Sequence, residues 1–177
     1  MIAYHIDRLG SLKAGETIRL RDVSLNPSIL KDILDQRYPS GLSMHGDKYY
    51  ATQANEGELQ DILTENIYEY ERRLHYPNLP SRFQSFFASE TIETAMFWVS
   101  RIGLHNYNLW EVEFSEDKYV KLDAAWLGID KNNLSFPVAA YFSEKYWSGV
   151  ASENPQWELL IQPPVRIIRI VKSSQNI

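Results

Sequence analysis

The stretch that decides the fold is Gln156-Trp157-Glu158-Leu159-Leu160-Ile161-Gln162-Pro163-Pro164-Val165-Arg166-Ile167-Ile168-Arg169-Ile170. Two runs rich in apolar and β-branched residues flank a Pro-Pro turn, and this pattern predicts two strands. Glu158 opens the first run, where a dry and unpaired carboxylate would cost several kcal/mol. Glu158 therefore lies either at a strand end facing water or in a polar cleft, and only the cleft would carry chemistry.

Further strands are predicted at both ends of the chain, in residues 3–7, 17–20, 109–114 and 119–122. Trp110, Val112 and Phe114 alternate with Glu111 and Glu113. Because successive side chains of a strand point to opposite faces, this alternation indicates a half-buried strand.

Helices are predicted mainly in the middle of the chain. Asn26-Pro27 is typical of a helix start, and Tyr38-Pro39 of its end. A second helix is predicted over residues 56–75 from apolar residues at helical spacing, with the charged residues between them as its solvated face. The apolar stripes are Leu30, Ile33 and Leu34 in the first helix, and Leu59, Ile62, Leu63, Ile67, Tyr70 and Leu74 in the second.

Two later helices complete the prediction. Residues 91–102 follow Ser89, a suitable cap, and end at Gly103, while residues 138–147 precede Gly149. Helices come early and strands late, with few strand–helix–strand alternations. This order favours an α+β fold with a mixed or antiparallel sheet, formed as one domain over residues 1–177.

Composition excludes several classes of protein. The 177 residues are 44% hydrophobic and 23% charged, which is a globular balance. The absence of Cys excludes disulfides and thiolate nucleophiles, and His5, His45, His75 and His105 show no close metal-binding spacing, so we expect no metal. The start has no signal-peptide pattern and no run is long enough to span a membrane, so a cytoplasmic protein is expected.

Three separated segments have an unusual polar and aromatic character. They are Tyr4-His5-Ile6-Asp7-Arg8, Ser81-Arg82-Phe83-Gln84-Ser85-Phe86-Phe87-Ala88-Ser89 and Gln156-Trp157-Glu158. In this order they resemble the three-part signature of the ADP-ribosyltransferase superfamily, which has a first-strand His or Arg, a Tyr-Phe-Ala or Ser-x-Ser motif before a helix, and a strand-initial Glu. The resemblance implies a split mixed or antiparallel sheet with helices inserted in the N-terminal half, and NAD as substrate.

The resemblance also implies roles for single residues. His5 matches the residue that hydrogen-bonds the nicotinamide ribose, and Glu158 matches the catalytic glutamate, with Gln156 two positions before it. Phe87 and Ser89 belong to the second motif, in which Phe87 stands where the family has a stacking Tyr. We expect His5, Phe87, Ser89 and Glu158 to meet at one cleft.

Arg8 and Arg82 are the nearest candidates for charge-assisted bonds to phosphate. Arg82 is expected to face the same cleft, so that its removal weakens NAD binding with little effect on stability. The alternative interpretation is that Arg82 forms a salt bridge with Glu90 or Glu93 and has only a structural role.

These residue types suit the chemistry that the resemblance implies. Cleavage of the nicotinamide–ribose bond of NAD passes through an oxocarbenium-like state, as in glycoside hydrolysis. A nearby carboxylate stabilises that positive charge, and an aromatic side chain holds the flat nicotinamide by stacking.

Three functional hypotheses follow. The first is an enzyme that transfers ADP-ribose to an unknown protein or nucleic acid in a toxin, phage or defence context, where an antitoxin or immunity partner is possible. The second is a catalytically inactive module on the same fold that binds a nucleotide or a partner. The third is a modifier that reaches a single-stranded base by aromatic stacking, and the net charge of −5 weighs against it.

Overall fold

Seven strands form two antiparallel sheets in the computed structural model, which describes residues 1–25, 28–52, 58–129 and 134–174. The strands are β1 (Ile2–Asp7), β2 (Thr17–Ile18), β3 (Phe86–Ala88), β4 (Asn108–Glu113), β5 (Tyr119–Asp123), β6 (Trp157–Ile161) and β7 (Val165–Ser173). Their order is β1-β4-β7-β2 in the first sheet and β3-β6-β5 in the second. The predicted α+β class with an antiparallel sheet is therefore confirmed.

Five α-helices accompany these sheets in the part of the chain that the structure describes. They are α1 (Ser28–Arg37), α2 (Met44–Gly46), α3 (Leu59–His75), α4 (Ile92–Ile102) and α5 (Phe136–Trp147). A π-helical turn, Asp47–Ala51, continues α2, and 3₁₀ turns span Arg82–Gln84 and Ala124–Leu127. Within the described ranges, no helix combines the length and apolarity that crossing a membrane requires.

The two strands predicted around the Pro-Pro turn belong to different sheets. β6 lies in the middle of the second sheet, and β7 lies between β4 and β2 in the first. Pro163 and Pro164 have no backbone N–H to donate to a sheet, so the ladder ends there and the chain passes from one sheet to the other.

The main core lies between the two sheets. Trp110, Val112 and Phe114 are buried there, which confirms the alternation predicted for β4. Leu109 is also buried, because α4 covers the other face of β4. Residues from four further strands complete this core: Ala3, Phe86, Ala88, Leu159, Ile161, Val165 and Ile167.

Helix α3 buries a different face from the one that its apolar stripe predicts. Leu63 and Tyr70 are 51% and 62% exposed, whereas Glu69 and Arg72 are 4% and 9% exposed. The Glu69 carboxylate accepts hydrogen bonds from Arg72, Arg73, Ser81 and Tyr38, so its burial is compensated. The prediction that the charged residues of α3 form a solvated face was wrong. The ion pairs of Glu69, and not the apolar stripe, determine which face of α3 is buried.

Other predicted boundaries need smaller corrections. In α1, Leu34 is buried, but Leu30 and Ile33 are 43% and 44% exposed. Ser89 does not cap α4, because the Thr91 hydroxyl accepts the hydrogen bond from the Thr94 N–H at 3.2 Å. Gly103 ends that helix at φ +67°, as predicted. The predicted starts at Asn26-Pro27 and Glu56 lie outside the described residues, and β2 stops at Ile18, two residues earlier than expected.

The Asp123 carboxylate fixes the approach to β6. It is fully buried and accepts hydrogen bonds from the backbone N–H groups of Ala125, Ser152 and Gln156 at 2.9, 2.7 and 2.7 Å. Burial opposes the charge, but these backbone donors outweigh it and lower the pKa of Asp123. The segment leading to Glu158 is therefore held by one ionised side chain.

We expect Asp123→Asn to lower the free energy of unfolding by about 2 kcal/mol at neutral pH, because the amide cannot replace the charged acceptor for all three donors. Urea denaturation measures this loss. The depressed pKa makes the contribution of Asp123 present above its unfolded pKa near 3.9 and lost as pH falls through the folded value. A gap between the two proteins that stays constant down to pH 2 would contradict this assignment.

Candidate active site

A cavity of about 870 Å³ opens at the ends of β1 and β3 and the start of β6, a volume within the usual range for small-molecule sites of about 300–1,000 Å³. All the residues that the sequence predicts for the site line this one cavity. They are His5, Arg8, Arg82, Phe87, Ser89, Gln156 and Glu158. The expected convergence of the three segments on one cleft is therefore observed in the structure.

Backbone pairing between strands explains this convergence. Tyr4 and Ser89 exchange two backbone hydrogen bonds of 2.8 Å, which join β1 to the end of β3. In the pairing of β3 with β6, Ala88 lies opposite Leu159, so Ser89 continues toward Glu158. The first, second and third segments thus meet although they are far apart in sequence.

His5 presents a neutral imidazole to the cavity. Its Nδ1 lies 2.6 Å from the carbonyl oxygen of Phe87, and its ring packs on Phe86 with the centroids 4.3 Å apart. Because a carbonyl only accepts, Nδ1 carries the proton and Nε2 is the acceptor. Burial lowers the pKa of His5, although the Phe87 carbonyl and Asp7 oppose the shift. His5 can therefore accept a hydrogen bond from a ligand hydroxyl at neutral pH.

Arg82 is the centre of a buried charged network. Its guanidinium donates to both carboxylate oxygens of Glu65 at 2.9 Å. Its Nη1 donates to the Tyr146 hydroxyl at 2.6 Å and to Glu158 Oε1 at 2.7 Å. The Tyr146 hydroxyl in turn donates to Glu158 Oε1 at 2.7 Å. Arg82 is only 4% exposed, so it joins α3, α5 and β6 from a buried position.

The network fixes the protonation of its members. Burial opposes the charge of Arg82, but Glu65, Tyr146 and Glu158 outweigh it and raise its pKa well above the usual value. Burial also opposes the charge of Glu65, yet Arg82 and then His45 hold the pKa of Glu65 well below its usual range. Burial raises the pKa of Tyr146 far above normal, so its hydroxyl stays a donor.

Glu158 has one anchored oxygen and one free oxygen. Oε1 accepts from Arg82 and Tyr146, whereas Oε2 accepts no hydrogen bond from the residues described. The side chain is 13% exposed and lines the cavity. Of the two places that the sequence left open for Glu158, the polar cleft is the one observed.

The sequence did not predict three members of this site: His45, Glu65 and Tyr146. His45 Nε2 lies 3.1 Å from Glu65 Oε2 without a well-aligned hydrogen bond, and its ring is 4.8 Å from that of Phe87. Tyr146 lies in the helix predicted over residues 138–147, for which no functional role was expected. A usable signal was the spacing of Glu65, Glu69 and Arg72 along α3, which places polar side chains on one helical face.

The remaining predicted residues occupy different positions in the cavity. Ser89 is buried, Gln156 is half-buried, and Arg8 is exposed at the rim. The ring of Phe87 lies 4.9 Å from the Arg82 guanidinium carbon. Arg82 pairs with neither Glu90 nor Glu93; instead, Lys121 binds Glu90. Among the residues described, no group of three or more His or acidic side chains could hold a metal ion.

The chain belongs to the DUF2441 family, described as "Protein of unknown function", whose model matches residues 3–173. No curated protein matches the sequence. The matched region contains all three segments, and every residue that lines the cavity lies within it.

The burial of Arg82 changes the expected effect of removing it. Arg82→Ala leaves the Glu65 and Glu158 carboxylates without their counter-charge, so we expect a loss of about 3–5 kcal/mol in the free energy of unfolding, measured by urea denaturation. Arg169→Ala is the matched control, because Arg169 binds Glu111 at the surface and its removal should change stability little. Equal effects of the two substitutions would contradict a buried hub at Arg82.

The lowered pKa of His5 can be measured directly. We expect its imidazole to titrate in NMR spectra with a midpoint below 6.5, and comparison with His5→Gln would identify its signal. Since the unfolded chain binds this proton more readily, the contribution of neutral His5 to stability should fall as pH drops below about 6.5. A midpoint above 6.5 would show that the ring is not neutral in the cavity.

Proposed function

We propose that this protein is an NAD-dependent ADP-ribosyltransferase-like enzyme that transfers ADP-ribose to a macromolecule in the cytoplasm. The observation that carries the proposal is the meeting of His5, Phe87, Ser89 and Glu158 at one cavity. These residues come from three distant segments, and the resemblance that joins them rests on their order and residue types. A toxin, phage or defence role, with an antitoxin or immunity partner, is part of the same proposal.

Glu158 supplies the electrostatic step. When the bond between nicotinamide and ribose C1′ breaks, nicotinamide leaves with the electron pair and positive charge develops on the ribose. Glu158 lines the cavity, and its Oε2, which accepts no hydrogen bond from the residues described, is the negative group available for that charge. Arg82 and Tyr146 hold Oε1, so the carboxylate needs little reorganisation during the reaction. The acceptor then bonds to C1′ and releases its proton to solvent.

His5 and Phe87 position the substrate in this proposal. The neutral His5 can accept a hydrogen bond from a ribose hydroxyl through Nε2. Phe87, half-buried between Arg82 and His45, offers an aromatic ring for the nicotinamide. Phe87 has no hydroxyl, so any polar contact that the family's Tyr makes must come from elsewhere.

A second function, a nucleotide-binding module without catalysis, is favoured by one observation. Glu158 Oε1 already accepts two hydrogen bonds, from Arg82 and Tyr146. If this pairing keeps Glu158 from the ribose, the cavity binds NAD or a related nucleotide without cleaving it.

The test is Glu158→Gln, with nicotinamide release from NAD as the readout. The amide keeps an oxygen for Arg82 and Tyr146 but loses the charge, so turnover should fall by about 10²-fold or more while NAD binding by calorimetry persists. Glu113→Gln is the matched control, because Glu113 is an exposed residue on β4 outside the cavity and its loss should leave turnover unchanged.

Each outcome separates the hypotheses. Full activity of Glu158→Gln would remove the catalytic role of this carboxylate. A wild-type protein that binds NAD but releases no nicotinamide would be a binding module. Absence of NAD binding would overturn both functions.

A further inference from the structure

Four exposed arginines surround the cavity: Arg8, Arg19, Arg21 and Arg101. In the part of the chain that the structure describes, no carboxylate forms an ion pair with these four arginines. The arginines that do form ion pairs are Arg72, Arg73, Arg82, Arg166 and Arg169. The guanidinium groups of the four exposed arginines are therefore available to a ligand that enters the cavity.

The acidic side chains of the cavity offset these charges only in part, because Asp7, Glu65 and Glu158 are fewer than its cationic residues, which are these four arginines, Lys48 and Arg82. Asp7 accepts hydrogen bonds from the backbone N–H groups of Leu9, Gly10 and Leu12, and so stabilises the loop after β1. Glu65 and Glu158 both pair with the buried Arg82. The mouth of the cavity is thus locally positive although the whole chain carries a net charge of −5.

The four arginines form two groups at different edges of the first sheet. Arg8 follows β1, and Arg101 lies in the last turn of α4, which packs on β1. Arg19 and Arg21 follow β2, at the opposite edge of the order β1-β4-β7-β2. The diphosphate of NAD has one negative charge on each phosphate, fewer than the four cationic guanidinium groups, so some of these groups are left for further phosphates.

We propose that this cavity binds a single strand of nucleic acid, with phosphates of successive nucleotides contacting both arginine groups. Three half-buried aromatic side chains that line the same cavity, Tyr49, Phe87 and Trp98, offer rings for base stacking. A duplex would need a wider basic surface, which the acidic remainder of the chain does not provide.

This proposal rests on the proposed function in one respect only: if the protein transfers ADP-ribose, the bound strand is the acceptor. A nitrogen or oxygen of the strand would bond to ribose C1′ as nicotinamide leaves with the electron pair, and the proton of the nucleophile would pass to solvent. Binding of the strand itself requires no NAD, so it can be tested separately.

The experiment measures the binding of fluorescein-labelled single strands of about 12 nucleotides, DNA and RNA, to the full chain by anisotropy at several salt concentrations. The slope of log K against log salt for single strands is about −0.7 per phosphate neutralised. The double variant Arg19→Ala/Arg21→Ala should therefore reduce the slope by about 1.4 and weaken binding to both probes.

The control is Lys118→Ala/Lys172→Ala, which removes the same charge from exposed positions outside the cavity and should leave the slope unchanged. Both variants should fold, because the side chains are exposed and Arg21 is held through its backbone pairing with Leu42. Melting temperatures verify this.

Several results would overturn the proposal: no binding of either single strand, equal loss in the control, tighter binding of a duplex, or displacement of the strand by ATP at equal phosphate concentration. Binding of only DNA or only RNA supports it and identifies the sugar. Failure to release nicotinamide would remove the proposed transferase while leaving strand binding intact, so the two failures are distinguishable.

Discussion

The buried guanidinium of Arg82 is the interaction on which the candidate site depends. A single cation reaches Glu65 on α3, Tyr146 on α5 and Glu158 on β6, so two helices and a strand are fixed relative to one another by one side chain. Such a group is tolerated in a dry interior only because every charge has a partner. The same contacts set the position of the Glu158 carboxylate, which lines the cavity.

Sequence patterns predicted the strands better than the faces of the helices. The alternation of Trp110, Val112 and Phe114 has a period of two, and a sheet core requires that period, so burial followed the pattern. In α3, the apolar stripe competed with Glu69 and Arg72, and the burial of Glu69 depends on Ser81 and Tyr38, which lie outside the helix. Periodicity describes one helix at a time, so it cannot show which polar residues will find partners.

The same distinction applies to the site. His5, Phe87, Ser89 and Glu158 could be identified because each lies in a short local motif, and strand pairing then brought those motifs together. Glu65 and His45 belong to no motif of that kind. Their place in the site comes from the tertiary contact of Glu65 with Arg82, which required knowledge of how α3 docks on the sheets.

If Glu158 acts as proposed, it must meet two opposing requirements. A carboxylate that is to stabilise positive charge must be ionised and fixed, yet burial alone would favour its neutral form. Arg82 and Tyr146 donate to Oε1, whereas Oε2 accepts no hydrogen bond from the residues described, so in the proposed reaction the supporting contacts and the acting atom are different oxygens. Arg82 pairs with Glu65 as well as with Glu158, so its single positive charge does not fully neutralise the Glu158 carboxylate. The protein therefore keeps one negative atom in a cavity whose rim is positive, an arrangement suited to a ligand with a cationic reacting centre and anionic flanks.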